Sequence, residues 1–262
     1  MPLRLEPQRR RIYENNPLKL VICQVRFPVA IRFEQADFVG AFQESVRERF
    51  PRVRQEQQVA VTVAIAGGAP APPSFAPSWR FQTNDGATSA LLARDALTLE
   101  TTNYSRFEEF VPLVQLLLDA LLGVEISFRE RLGLRYVNEM RHPDAHTASA
   151  WTGLINPAML GTIGGELLGD DVIHALENIR LREEDGIVII NHGFVGADAL
   201  PSSGDPFYQL DIDFGDERPV ELDRDGTLSQ VTSFHDRISN LFETSITDAM
   251  RDHLVILKEL DG

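Results

Sequence analysis

The chain is poor in cysteine, in lysine and in long apolar runs. Cys23 is the only cysteine among 262 residues, so no disulfide can form within the chain, and a reducing cytoplasm is the expected location. No apolar run reaches the roughly 18 residues that a membrane-spanning helix needs. Residues 1–11 are basic and lack the apolar stretch of a secretory signal. These features predict a cytoplasmic protein that does not associate with membranes.

Charge is distributed unevenly in an otherwise globular composition. The formal net charge is −14, and 43% of the residues are hydrophobic. Residues 1–56 carry 11 basic and 7 acidic residues, whereas residues 182–262 carry 6 basic and 18 acidic residues. An acidic surface repels phosphate backbones, so the charge disfavours nucleic acid as a partner. The acidic final third is available for a basic protein partner.

The spacing of apolar residues predicts alternating strands and helices. In the first half, strands are expected at 20–29, 58–66, 79–84, 89–93 and 96–102, a loop at 67–77, and helices at 35–50 and 104–122. In the second half, strands are expected at 127–140, 172–184, 187–194 and 207–214, a helical region at 151–168, and a long helix at 233–257 capped by Ser233. Both halves therefore share one order of elements.

This order predicts an α+β fold made of two pseudo-repeated units, each with a strand, a helix, several antiparallel strands and a long helix. A polar leader would cover residues 1–18, the first unit 19–123 and the second unit 124–262, together in one compact globule. The long helices are expected to pack on one face of an antiparallel sheet.

Several segments resemble a known family. They are NPL at 16–18, VICQVRF at 21–27, RLGLRYVNE at 131–139 and FHDRISNLFETSITD at 234–248. Together they are similar to motifs of a sporadically distributed family of uncharacterised bacterial proteins of about this length. The resemblance spans nearly the whole chain and implies no established activity, cofactor or catalytic residue. Scattered occurrence is typical of genes on mobile elements, so the resemblance also implies a role in a mobile or defence cassette.

Charged residues alternate along two of the predicted strands. Asp211 and Asp213 share one strand face, and Arg131 and Arg135 share a face of another strand. If the two strands are neighbours, cross-strand pairing occupies these charges. Otherwise they line a cleft that binds an anionic ligand or the carboxylates of a partner. The predicted ligand-binding residues are Arg26, Arg131, Arg135, Asn138, Asp211 and Asp213.

Other motifs favour structural interpretations. Residues 223–228 (DRDGTL) resemble the DxDGT loop of haloacid-dehalogenase-type phosphatases, but they lie too close to residue 262 for that domain, so a turn at Asp225 and Gly226 is expected. Pro143 between His142 and His146 favours a loop over a zinc site. Cys23 is expected on a core face of its strand. The sequence therefore predicts no catalytic residue, metal ligand or cofactor.

Three functions remain open on these observations. The first is a non-enzymatic protein-binding or assembly component that forms a homodimer or docks a protein partner through its last helix or an exposed sheet edge. The alternative is an enzyme or sensor that binds an anionic small ligand at the arginine and aspartate faces. The third is nucleic-acid binding, which requires one basic patch from Arg9, Arg10, Arg11, Arg26 and Arg32.

Overall fold

The computed structural model describes residues 7–60, 74–164, 168–200 and 204–260. The strands are β1 (Arg10–Tyr13), β2 (Leu18–Arg26), β3 (Arg52–Ala60), β4 (Ser74–Gln82), β5 (Thr88–Leu92), β6 (Ala96–Thr101), β7 (Phe128–Arg129), β8 (Arg131–Met140), β9 (His174–Glu183), β10 (Gly186–Val195), β11 (Phe207–Asp216), β12 (Val220–Glu221) and β13 (Ile256–Leu260). The helices are α1 (Ala36–Val46), α2 (Phe107–Gly123), α3 (Pro157–Leu160), α4 (Arg224–Ser245) and α5 (Asp248–Leu254). The mixed α and β composition confirms the predicted class at this level.

Nine of the strands form one antiparallel sheet in the order β3-β4-β5-β6-β2-β8-β11-β10-β9. Strands β2 and β8 pair near its middle, where Val21 lies opposite Tyr136 and Cys23 opposite Leu134. Within the described residues, β3 and β9 are the outer strands of this sheet. Two small ribbons, β1 with β13 and β7 with β12, lie outside it. The pairing of β2 with β8 joins the first and second halves of the chain.

Alternation along the strands separates a core face from an open face of the sheet. On β2, Val21, Cys23 and Val25 are buried, whereas Gln24 and Arg26 lie on the other face, as the sequence predicts. Helix α2 contacts β6, and α4 contacts α2, β8 and β11. Their buried residues belong to the same hydrophobic cluster as the core face of the sheet. Burial of this apolar area supplies the main driving force for folding.

Tight turns and helix ends follow local sequence signals. Strands β4 and β5 pair around residues 84–86, where Gly86 has a φ of +72° that side chains rarely tolerate. Helix α1 ends shortly before Pro51, and α2 ends at Gly123. The strands expected at 79–84 and 89–93 and the first two helices are thereby confirmed, within a few residues at their ends.

The prediction of one final helix at 233–257 capped by Ser233 is wrong. Helix α4 begins at Arg224, because the side chain of Asp223 caps it by accepting a hydrogen bond from the backbone of Gly226 at 2.7 Å. The helix ends at Ser245, and Thr247 caps the separate helix α5. The expected turn at Asp225 and Gly226 is therefore the first turn of α4.

Three further boundaries differ from the prediction. The expected strand at 127–140 is interrupted at Glu130, which separates β7 from β8. The expected helical region at 151–168 holds only α3 and short 3₁₀ turns, and its residues 165–167 lie outside the described residues. The expected loop at 67–77 lies outside them up to residue 73, and residues 74–77 belong to β4. The expected strand at 58–66 is described only to residue 60, where it belongs to β3.

None of the helices in the described ranges combines the length and the hydropathy needed to cross a bilayer.

Candidate functional site

The arginine and aspartate faces meet on the open face of the sheet, because β8 and β11 are antiparallel neighbours. Arg135 donates from Nε and Nη2 to the two carboxylate oxygens of Asp211, both at 2.7 Å. Asp211 is only 2% exposed. Arg131 donates from Nη2 to Asp213 at 3.2 Å. Each predicted carboxylate therefore has an arginine partner, which is the cross-strand arrangement expected for neighbouring strands.

Neutral side chains extend this charged pair into a network across the sheet. Asn191 on β10 donates to Asp211 at 3.2 Å and accepts a hydrogen bond from Asn178 on β9. On the other side, Arg131 donates to Gln24 on β2 at 3.4 Å. Burial raises the pKa of Asp213 even though arginines flank it. The arginines and carboxylates of this network pair with one another. Neither Asp211 nor Asp213 is therefore left as an unpaired carboxylate for a metal ion.

Two of the predicted site residues, Arg26 and Asn138, do not belong to this network. Arg26 shares the open face and lies opposite Arg131, but its charge pairs with exposed Asp95 at 3.4 Å. Asn138 lies on the core face, because it is an odd number of residues from Arg131 and Arg135 along one strand. Its amide donates to the backbone oxygen of Leu210 at 3.1 Å. The expectation that Asn138 is a polar neighbour of the arginines is therefore wrong.

Arg129 on β7 does not join Arg131 and Arg135 on the open face. The break at Glu130 turns its side chain inward, where it is buried beside Asp216 at 3.8 Å and donates to Gln230. Burial opposes the charge of Asp216, but hydrogen bonds from Arg218 and Gln230 outweigh it and lower the pKa of that carboxyl to about 2. The hydrogen bond from Gln230 to Asp216 links α4 to the end of β11.

The remaining sequence motifs have structural roles. Asp223 caps α4, so the phosphatase-like string begins a helix. Burial raises the pKa of the Cys23 thiol to about 12, which leaves a poor nucleophile. The ring of His142 packs against His253 with centroids 4.4 Å apart, and His146 has no part in this contact. Across the described ranges, no group of three or more His, Cys, Asp or Glu side chains is arranged to hold a metal ion.

The five arginines required for one basic patch each have a carboxylate partner. The pairs are Arg9 with Glu259, Arg10 with Asp236, Arg11 with Glu243 and Glu259, Arg26 with Asp95, and Arg32 with Glu125. These pairs neutralise the positive charge that binding to phosphates requires.

Strand β9 forms an exposed edge of the sheet. It is ten residues long, and within the described residues β10 is its only neighbour. Its open-face positions include Leu176, Asn178, Arg180 and Arg182. Outside the backbone pairing with β10, the side chains of Arg180 and Arg182 make no hydrogen bond or ion pair with any described residue. An edge strand of this length presents unpaired backbone groups to other chains.

A second feature, missed in the sequence, is a cavity of about 110 Å³ between β1, α2, β8 and α4. Three of the four tyrosines line it: Tyr13, Tyr104 and Tyr136. The hydroxyl of Tyr136 lies 2.9 Å from that of Tyr104 and 2.9 Å from Nδ1 of His235. These residues come from β1, the loop before α2, β8 and α4, so no spacing in the sequence brings them together.

The cavity has one buried charge cluster at its side. Glu243 accepts hydrogen bonds from Tyr13 at 2.9 Å, from Arg11 at 2.9 Å and from Arg251 at 3.1 Å. His235 stacks on Phe107 with ring centroids 3.9 Å apart. Burial, with a smaller effect of Arg10, lowers the pKa of His235 to about 3. The imidazole is therefore neutral at physiological pH.

No family model, curated protein or solved structure matches the chain in the three comparisons. The resemblance to a bacterial family stays a prediction from the motifs.

Proposed function

We propose that this protein is a non-enzymatic binding or assembly component that docks an extended protein segment onto β9. The observation that carries the proposal is the ten-residue edge strand with a single neighbour. Adding a strand to such an edge satisfies its free backbone groups, and side-chain contacts then supply specificity. The long helix α4 is less suited to docking, because its residues Phe234, Ile238 and Leu241 are buried in the core.

The side chains on β9 favour an acidic partner strand. Arg180 and Arg182 project on the open face two residues apart, and neither has a counter-ion within the described residues. An added antiparallel strand with carboxylates at alternate positions would lie opposite them. The acidic final third favours a basic partner when only total charge is counted, but the charged residues on the open face of β9 are Arg180 and Arg182.

Exposed apolar side chains beside β9 also support docking at this edge. Ile173 is 55% exposed just before β9, and Leu176 within it is 41% exposed. Ile187 on β10 lies opposite Arg182 and is 38% exposed. Apolar contacts flanked by charged residues are typical of protein interfaces.

We also infer that the two units are pseudo-repeats with their long helices on one face. The strand order supports this inference, because β3 to β6 with β2 form one block and β8 to β11 form the other. The contacts of α1 with α2 and of α2 with α4 are those expected of neighbours in one helical layer.

Binding of two synthetic peptides tests the docking proposal. One peptide alternates glutamate with threonine over nine residues, and the other replaces each glutamate with lysine. We expect calorimetry to show binding of the glutamate peptide and at least tenfold weaker binding of the lysine peptide, since charge-assisted contacts contribute about 1.5–3 kcal/mol each.

Variants of the two sheet edges make the test specific. Arg180→Glu with Arg182→Glu should abolish binding of the glutamate peptide. Arg52→Glu with Arg54→Glu makes the same change of charge on β3, the other outer strand, and should leave binding unchanged. Equal binding of both peptides, or equal loss in both double variants, contradicts the proposal. Light scattering that shows a dimer disrupted only by the β9 variant would identify a second copy as the occupant and overturn the acidic partner.

A further inference from the structure

We infer that the cavity between β1, α2, β8 and α4 binds a small aromatic acid, with the carboxylate near Arg10 and the ring between the aromatic side chains. This site is separate from the β9 edge. The inference does not rest on the proposed docking function, because it uses the core side of the sheet and different residues.

The walls of the cavity suit a planar apolar ring. Tyr13, Tyr104, Tyr136, Phe107 and Phe242 all line it. Aromatic side chains prefer tilted or offset contacts with another ring, and such pairs contribute beyond their buried area. A cavity of about 110 Å³ is somewhat smaller than the apolar cavity of about 150 Å³ that admits benzene in another protein, and this one also opens to solvent. One ring fits this site only with its substituent at the side that opens to solvent.

A chain of polar groups supplies hydrogen bonds inside these walls. It runs from Tyr104 through Tyr136 to His235, and each step is 2.9 Å. If Nδ1 of His235 carries the proton, each hydroxyl in turn donates outward, and Tyr104 is left with a proton to donate to a ligand. In this tautomer the open end of the chain is a donor that a carboxylate can use, whereas the opposite tautomer would leave an acceptor there.

Arg10 supplies the charge at the mouth of the cavity. Its counter-ion Asp236 is exposed and 3.5 Å away, which is the outer limit of a hydrogen bond. The other arginines at the cavity are engaged more closely, because Arg11 pairs with Glu243 at 2.9 Å and Arg106 with Glu109 at 2.6 Å. Arg10 is thus the cation that can exchange its weak partner for a ligand carboxylate.

Binding of benzoate by the full chain tests the inference, with benzyl alcohol and benzylamine as neutral and cationic probes of the same ring. Saturation-transfer NMR and calorimetry should show binding of benzoate and at least tenfold weaker binding of the other two compounds. Arg10→Gln should weaken benzoate about tenfold. Tyr104→Phe keeps the ring and should weaken benzoate about threefold to tenfold through the lost hydroxyl.

Tyr208→Phe is the matched control. Tyr208 is the fourth tyrosine, and its hydroxyl also lies 2.9 Å from Nδ1 of a buried histidine, His192, but it does not line the cavity. This variant should bind benzoate as the unchanged protein does. Absence of benzoate binding, equal binding of benzyl alcohol, or equal weakening by Tyr208→Phe and Tyr104→Phe would overturn the inference. None of these results bears on peptide binding at β9, so the two proposals fail separately.

Discussion

At the residue scale, the pair of Arg135 and Asp211 distinguishes a structural from a ligand-binding role for the open face. Among the described residues, Arg135→Met leaves buried Asp211 with the side-chain amide of Asn191 as its remaining side-chain donor. We expect the free energy of unfolding to fall by about 1.5–3 kcal/mol, because a buried charge loses its partner. Urea denaturation measures this loss.

Arg26→Met is the control for this change, since both residues belong to the predicted ligand site. The partner of Arg26 is exposed Asp95, and a surface pair contributes about 0–1 kcal/mol. If Arg135→Met leaves the free energy of unfolding unchanged, the structural interpretation of this pair fails.

Buried His235 makes a second prediction at this scale. Its folded pKa of about 3 lies below the unfolded value of 6.5. The unfolded state therefore takes up a proton first as pH falls. The contribution of neutral His235 to the free energy of unfolding is fully present above pH 6.5, and it declines by about 1.4 kcal/mol for each pH unit below that value, towards pH 3. Urea denaturation at pH 7 and pH 5 measures this slope.

Replacement of the imidazole isolates its contribution. Burial also lowers the pKa of His192, so that histidine adds a loss of the same sign. His235→Gln should reduce the slope between pH 7 and pH 5 relative to the unchanged protein. Equal slopes in the two proteins would refute the neutral buried imidazole.

At the scale of elements, Asp223 decides where α4 begins. Asp223→Ala removes the side-chain cap of Gly226 and should lower the free energy of unfolding by about 1 kcal/mol. Asp225→Ala removes a carboxylate from the same turn, but that side chain is exposed and pairs only with Arg224 among the described residues. Thermal denaturation should show the larger loss for Asp223→Ala. A larger loss for Asp225→Ala would contradict the capping role.

At the scale of the whole molecule, the shared sheet predicts one cooperative unfolding transition. Each half of the chain contains one tryptophan, Trp79 on β4 and Trp151 in the second half. Because β2 pairs with β8, neither half can keep its sheet intact when the other unfolds. In each single-tryptophan variant, Trp79→Phe and Trp151→Phe, fluorescence and far-UV circular dichroism should share one urea midpoint. Separate midpoints within a variant would show two independently unfolding units.

Local information in the chain was sufficient for most strands and for the first two helices. A strand such as β2 needs only period-two alternation, and α2 needs only an apolar stripe that a glycine ends. The same alternation placed Asp211 and Asp213 on one face. The same alternation puts Asn138 on the core face, contrary to the expectation that it neighbours the arginines, and the cap of α4 is Asp223, ten residues before the expected Ser233.

The strand order and the cavity require long-range contacts, because both depend on which segments pair. No local signal states that β8 lies between β2 and β11, and that order is what neutralises the arginines and leaves β9 as an edge. The cavity shows the same limit, since Tyr104, Tyr136 and His235 meet only when the loop before α2 packs against β8 and α4. Side-chain periodicity is a property of neighbours in sequence, whereas a binding site is made by residues that folding brings together.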